Sequence, residues 1–167
     1  MSDELWAGTN FQRRPIGEGG VVLCGACRKL GHCRLGLTKE ELLSDGRVHS
    51  ELICSADNEG GPQVAHGGWT AGVFDELLGH VALHHDQLAV TGRLTVSFLK
   101  PVPIDRVLDA YAWVETKQER TWHVGAELRL ASTSVVLAAG SAVMVLRDEA
   151  HFERHRAWLA AQDATVR

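Results

Sequence analysis

The stretch His66-Gly67-Gly68-Trp69-Thr70-Ala71-Gly72-Val73-Phe74-Asp75-Glu76-Leu77-Leu78-Gly79 decides how the rest of the chain is read. Its residues are apolar or small nearly throughout, apart from a leading histidine and the acidic pair Asp75-Glu76. A helix that is apolar nearly all round is normally buried. A buried carboxylate costs stability unless it is hydrogen-bonded, paired or chemically employed. The pattern predicts a helix over Gly67 to Leu83, entered through the breaker cluster Asp57-Asn58-Glu59-Gly60-Gly61-Pro62. Ala71, Gly72, Gly79 and Ala82 are small and are expected to let the helix lie close to its neighbours. His80, His84 and His85 read as a solvated helix end, and Glu76 as a surface or interface charge.

Beyond the helix the pattern turns to period two. Leu94, Val96 and Phe98 alternate with Arg93, Thr95 and Ser97, which predicts a strand with one buried face. Lys100-Pro101-Val102-Pro103 ends it, because proline cannot donate to a ladder. Further strands are predicted over Leu108 to Glu119 and Trp122 to Leu130. Val135 to Leu146 is apolar on both parities and predicts a central strand covered on both faces. Asp148 to Gln162 reads as a helix, with Phe152, Trp158 and Leu159 as packing residues. Upstream, Val21 to Cys24 predicts a short strand and Arg47 to Ala56 another. Thr38 to Leu43 predicts a helical turn, from a capping residue ahead of an acidic turn.

A long apolar helix followed by four strands is an α+β pattern. The natural assembly is an antiparallel sheet of about five strands curled around the helix. The expected division is an N-terminal arm over 1–20, one domain over 21–147, and a C-terminal helix or tail over 148–167. A single-layer sheet leaves its outer face uncovered, so an oligomer is expected.

The 167 residues suit one domain with a real core. A net charge of −4 gives no electrostatic case for nucleic acid or an acidic membrane. Met1-Ser2-Asp3-Glu4-Leu5 lacks the basic and apolar regions of a signal peptide. No apolar run approaches the roughly 20 residues of a membrane helix. The expectation is a cytoplasmic protein. Cys24, Cys27, His32 and Cys33 lie close together, and thiolate and imidazole are the usual zinc ligands. A structural zinc site, however, normally brings two ligand pairs from separated turns, and the one further cysteine is Cys54. Reduced cysteines, with no metal and no cofactor, are the expectation.

Several features carry a family resemblance: Glu59-Gly60-Gly61-Pro62, His66-Gly67-Gly68, Asp75 nine positions after His66, Thr91, and Phe98-Leu99-Lys100-Pro101-Val102-Pro103. In this order and spacing the chain resembles the hotdog-fold acyl-CoA thioesterases of the PaaI type, over about residues 46 to 147. The resemblance implies hydrolysis of an acyl-CoA thioester to a carboxylic acid and coenzyme A, by a homodimer or a dimer of dimers. Gly67, at a helix start where free N–H groups and the dipole favour negative charge, would supply the oxyanion donor. Asp75 would be nucleophile or general base, with Thr91 holding the water or the carboxylate, and His66 would orient the loop or touch the thioester. Gly68 and Trp69 would contact the substrate, and Lys100 and Arg120 the coenzyme A phosphates. Gly67 and Asp75 are eight residues apart, roughly 12 Å along a helix. One subunit's Gly67 would therefore face the partner's carboxylate. Three departures stand out. Gly60 occupies a place where some relatives carry Asn or Gln, Trp69 is bulky enough to narrow the acyl pocket, and Thr91 has the parity of the polar strand face unless Gly92 forms a bulge. Rival readings are a non-catalytic acyl-CoA sensor, a hotdog hydratase or dehydratase, and a zinc-stabilised module.

Overall fold

The computed structural model describes residues 16–165. Most of the expected arm over 1–20 lies outside them, as do the last two residues. The elements run α1 (Gly25–Leu30), β1 (Leu37–Leu42), β2 (Val48–Ile53), β3 (Glu59–Gly61), β4 (Val64–Ala65), α2 (Gly67–His84), β5 (Ala89–Phe98), β6 (Val107–Lys117), β7 (Thr121–Leu130), β8 (Val136–Leu146) and α3 (His151–Thr165). Six strands form one antiparallel sheet in the order β1-β2-β6-β7-β8-β5. A hairpin of β3 and β4 leads into α2. The architecture is the expected α+β arrangement, with six sheet strands instead of about five. Helix α2 lies across one face of the sheet, against β2 and β5 to β8. Its Val73, Phe74, Leu77, Leu78 and Val81 are fully buried, as are Val48, Leu52, Leu108, Val124, Leu128 and Met144 on the strands. Among the described residues no helix is long and apolar enough to cross a membrane.

Four local expectations are corrected. The segment predicted as a helical turn over Thr38 to Leu43 is strand β1, paired to β2 with a bulge between Leu37 and Lys39. Its capping signal loses to sheet pairing and to the burial of Leu37 and Glu40 on the inner face. Val21 to Leu23 are buried core residues, with an isolated bridge from Ile16 to Val22 in place of a strand, and Cys24 then caps α1. Strand β8 buries Leu137, Ala138, Ala142 and Met144, whereas Ser141 is exposed and Val143 and Val145 are half-buried. It is therefore covered on one face within the protomer. Phe98, expected on a buried face, is 59% exposed because it lies at the end of an edge strand, where only the first turn of α2 and an open cavity face it.

The close approach between helix and sheet is set by a glycine on the strand. A methyl at Gly72 or Gly79 would make only ordinary contacts at 4.0 Å. A Cβ at Gly140 on β8 would lie 2.3 Å from Phe74 Cδ1. The Phe74 ring thus rests on bare backbone. Gly140→Ala is expected to cost about 1–3 kcal/mol of overpacking, read as a lower midpoint in chemical denaturation with the slope unchanged.

Candidate active site

Two cavities meet α2 at different places. At its N-terminus His66 is the capping residue, in extended backbone (φ −60°, ψ 136°), and its Nδ1 accepts the Gly68 N–H at 2.8 Å. Accepting there requires the lone pair on Nδ1, which puts the ring proton on Nε2. The Gly68 N–H is thereby consumed. The Gly67 N–H, at the first helical position, forms no hydrogen bond among the described residues, as expected of a first-turn donor. Gly67 opens onto a cavity of about 510 Å³ together with Pro62, Val64, Phe98, Leu99 and Lys100.

Two turns further along, Asp75 lies on the open face of α2 and is exposed. It is therefore not the buried carboxylate that the apolar pattern suggested. The Thr91 hydroxyl donates to Asp75 Oδ1 at 2.6 Å. Strand geometry explains that reach. The pairing of β5 with β8 slips between Thr91 and Arg93, so Thr91 faces inward opposite Met144 while Arg93 pairs with Val143 on the outer face. The Asp75–Thr91 pair lines a second cavity of about 340 Å³, otherwise walled largely by Leu23, Val90, Met144 and Phe152, with Cys24, Glu76 and His80. No residue lines both cavities.

Trp69 lines neither cavity. It is buried, and its indole N–H donates to the Leu35 carbonyl at 3.2 Å, because an indole in a core needs an acceptor. Arg120 lies at the β6–β7 turn, where its carbonyl accepts the Leu146 N–H, away from both cavities. The candidate thiols are placed variously. Cys24 is half-buried at the Asp75 cavity, Cys27 and Cys33 are buried, and Cys27 Sγ accepts the Arg34 N–H at 3.3 Å. Burial pushes the Cys27 thiol up to about 11, so it stays protonated at neutral pH. His32 is turned to the Leu30 carbonyl at 3.1 Å. Among the described residues, the three-residue group with ligand atoms within 4.8 Å of one another is His49, Glu51 and Asp109. These residues lie on the sheet face away from α2.

The largest departure from the sequence reading is at the C-terminal half of α2. His80 is 4% exposed, bonded through Nδ1 to Glu40 Oε2 at 2.7 Å and through Nε2 to Glu76 Oε1 at 3.1 Å. His84 Nε2 meets Glu40 Oε1 at 2.9 Å, and His85 bonds the Gly46 carbonyl at 3.0 Å. The expected solvated helix end is thus a buried ionic cluster, and Glu76 is part of it. Burial alone would lower the His80 imidazolium, but the Glu40 charge and hydrogen bond, then those of Glu76, hold it up to about 10. Burial would raise the Glu40 carboxyl, yet the charge and hydrogen bond of His80, with those of His84, bring it down to about 2.

The signs of these shifts predict a stability profile. The raised imidazole contributes fully below its ordinary value of 6.5 and loses that contribution as pH rises through about 10. The lowered carboxyl contributes fully above its ordinary 4.5 and loses that contribution as pH falls through about 2. The cluster's contribution is therefore whole between about 4.5 and 6.5. Denaturation midpoints are expected to decline on the alkaline side more in the wild type than in His80→Gln. Parallel curves would remove the cluster's contribution.

Sequence and fold comparisons agree with this architecture. Residues 62–137 match the family model described as the thioesterase superfamily. No curated protein matches the chain. Among solved structures, a thioesterase superfamily protein is 24% identical with a TM-score of 0.60, over 64% of this chain and 54% of that one. The chain thus spans about half the length of that relative. The Escherichia coli PaaI protein, from the phenylacetic acid degradation operon, is 21% identical with a TM-score of 0.63, over 74% of this chain and 85% of that one. A hypothetical thioesterase from Streptococcus pneumoniae, solved with coenzyme A, is 18% identical with a TM-score of 0.60, over 65% and 84%. By this fold the chain is a hotdog α+β protein, and over residues 62–137 it is similar to the thioesterase superfamily.

Proposed function

We propose that the protein is an acyl-CoA thioesterase that works as a dimer or a dimer of dimers. The observation that carries this reading is the Thr91–Asp75 hydrogen bond at 2.6 Å, opening onto an apolar cavity in a thioesterase-superfamily fold. Two variants of the pneumococcal protein have also been solved, one with an aspartate and one with a threonine replaced by alanine, at positions 16 residues apart. Asp75 and Thr91 have the same separation of 16.

Thioester hydrolysis needs a donor for the developing oxyanion and a group that attacks or activates water. The Gly67 N–H is the donor, aided by the positive end of α2. Thr91 occupies Oδ1 of Asp75 and leaves Oδ2 for the reacting water. In the general-base form, Oδ2 takes a proton as water oxygen bonds to the thioester carbon. The tetrahedral oxyanion then collapses, breaking the carbon–sulfur bond, and the thiolate of coenzyme A takes the proton. In the nucleophilic form, Oδ2 itself bonds to that carbon, the thiolate leaves, and water cleaves the resulting anhydride. His66 orients the loop by holding the Gly68 N–H, and Lys100, beside Gly67, meets a coenzyme A phosphate.

Gly67 and Asp75 line separate cavities, eight residues apart, roughly 12 Å along the helix. One carbonyl cannot use both from the same subunit, so Gly67 of one subunit serves Asp75 of its partner. The edge of β5, which pairs with no further strand among the described residues, with Phe98 59% and Leu99 57% exposed beside Gly67, is the kind of surface such a pairing would cover.

The test is thiol release over short-chain, long-chain and aromatic acyl-CoAs, with sedimentation at assay concentration. Turnover of at least one class by an oligomer is the expected result. Tight acyl-CoA binding without turnover would favour the sensor reading, and turnover by a monomer would contradict the shared site.

A further inference from the structure

The wall that carries Asp75 also carries titratable groups that the hydrolysis above does not use. Glu40, on β1, has a side chain with 0% exposure. It accepts from His80 Nδ1 at 2.7 Å, His84 Nε2 at 2.9 Å, Ser50 Oγ at 3.3 Å and the Val22 N–H at 3.3 Å. His80 presents its other nitrogen to Glu76 Oε1 at 3.1 Å. Both ring nitrogens of a buried imidazole therefore face carboxylate oxygens. A neutral ring would aim a lone pair at one of them, whereas an imidazolium donates to both. Glu76 and His80 line the same 340 Å³ cavity as Asp75 and Thr91.

We propose that His80 is a positioning residue for the Asp75 site: clamped as an imidazolium between Glu40 and Glu76, it offsets the Glu76 charge beside Asp75 and so keeps the Asp75 carboxylate available to the reaction. This rests on the thioesterase reading. Like charges that line one cavity each disfavour the other's ionised form. Asp75 and Glu76 are adjacent and line one cavity, so an uncompensated Glu76 charge would disfavour the carboxylate form of Asp75. A protonated Asp75 could neither accept a proton from water nor attack.

The groups around the Glu40–His80–Glu76 clamp come from several elements. Glu40 comes from β1, Asp75, Glu76 and His84 from α2, and the Cys24 thiol from the start of α1. Ser50 from β2 and Thr91 from β5 are uncharged. His80 is the cation placed between the two glutamates, which makes it the residue whose loss changes the charge at the cavity wall.

The test is the pH dependence of kcat on an acyl-CoA for the wild type, His80→Gln and Glu76→Gln. His80→Gln removes the positive charge and is expected to move the acid limb up by about one pH unit. Glu76→Gln removes a negative charge beside Asp75 while Glu40 still pairs with the imidazolium, and is expected to move that limb down. A purely structural role would lower activity in both without opposite shifts. Folded variants whose acid limbs stay put, or move in the same direction, overturn the proposal. A readout independent of both variants is the histidine NMR of the wild type. His80 is expected to hold both ring protons from about pH 5 to pH 8, and a midpoint near the ordinary value of about 6.5 overturns the imidazolium clamp. A wild type inactive on every acyl-CoA would sink the thioesterase reading, whereas an active one with unmoved limbs would sink the His80 role alone.

Discussion

Asp75→Asn is expected to lower kcat on the best acyl-CoA by about 10²- to 10⁴-fold, with KM changed little. The substitution keeps the shape of the side chain and an oxygen to accept the Thr91 hydroxyl. Asp75 is exposed on the open face of α2, so the fold should be indifferent to the change. What is lost is the second carboxylate oxygen, which either takes the proton of water or attacks the carbonyl. Steady-state kinetics on the purified variant, beside its denaturation curve, separates loss of chemistry from loss of fold. Full activity in a folded Asp75→Asn protein would remove Asp75 from the reaction.

Gly67→Pro tests the other half-site at the level of one hydrogen atom. Proline is favoured at the first position of a helix, where its missing N–H disturbs no intrahelical bond. The residue before it must be extended, and His66 already is, at φ −60° and ψ 136°. A Cβ at Gly67 would meet the Phe98 ring at 3.7 Å, an ordinary contact. The backbone should therefore accept the change while the oxyanion donor disappears. Losing one such donor costs about 2.7–4 kcal/mol, about 10²- to 10³-fold in kcat. A stronger check mixes this variant with Asp75→Asn under conditions that exchange subunits. Neither homodimer has an intact site, but a mixed dimer has one, made by the unaltered Gly67 of one subunit and the unaltered Asp75 of the other. Random reassortment should return about a quarter of wild-type activity, since half the dimers are mixed and each has one working site of two. Absence of any recovery would place both groups in one subunit.

Much of this was legible in the sequence because hydrophobic period carries it. Helix α2 was predicted over Gly67 to Leu83 and ends at His84, and the alternation after it located β5, β6, β7 and β8 within a few residues. The Thr91–Asp75 contact was readable only through the resemblance and the allowance for a bulge at Gly92. The ionic cluster was not readable. Glu76, His80 and His84 share a helix face at steps of four, which was a signal in itself, but Glu40, the partner of both histidines, is 40 residues before His80 and sits in a segment that mimics a capped helix. Nothing local tells a strand glutamate that it will be buried. Trp69 failed as a pocket residue for a related reason, since its acceptor at Leu35 comes from a distant loop.

The slip in β5 has one further consequence. At Gly92 the strand holds one residue more than its partner β8 requires, and a Cβ there would lie 2.9 Å from Val145 Cγ2. Deleting Gly92 would leave Thr91 opposite Met144 and Arg93 opposite Val143, so the hydroxyl would still meet Asp75. Keeping the residue but forcing it into the ladder would rotate Thr91 to the outer face. A gap in this strand between related chains is therefore expected to be harmless, while a side chain gained at the same point is not.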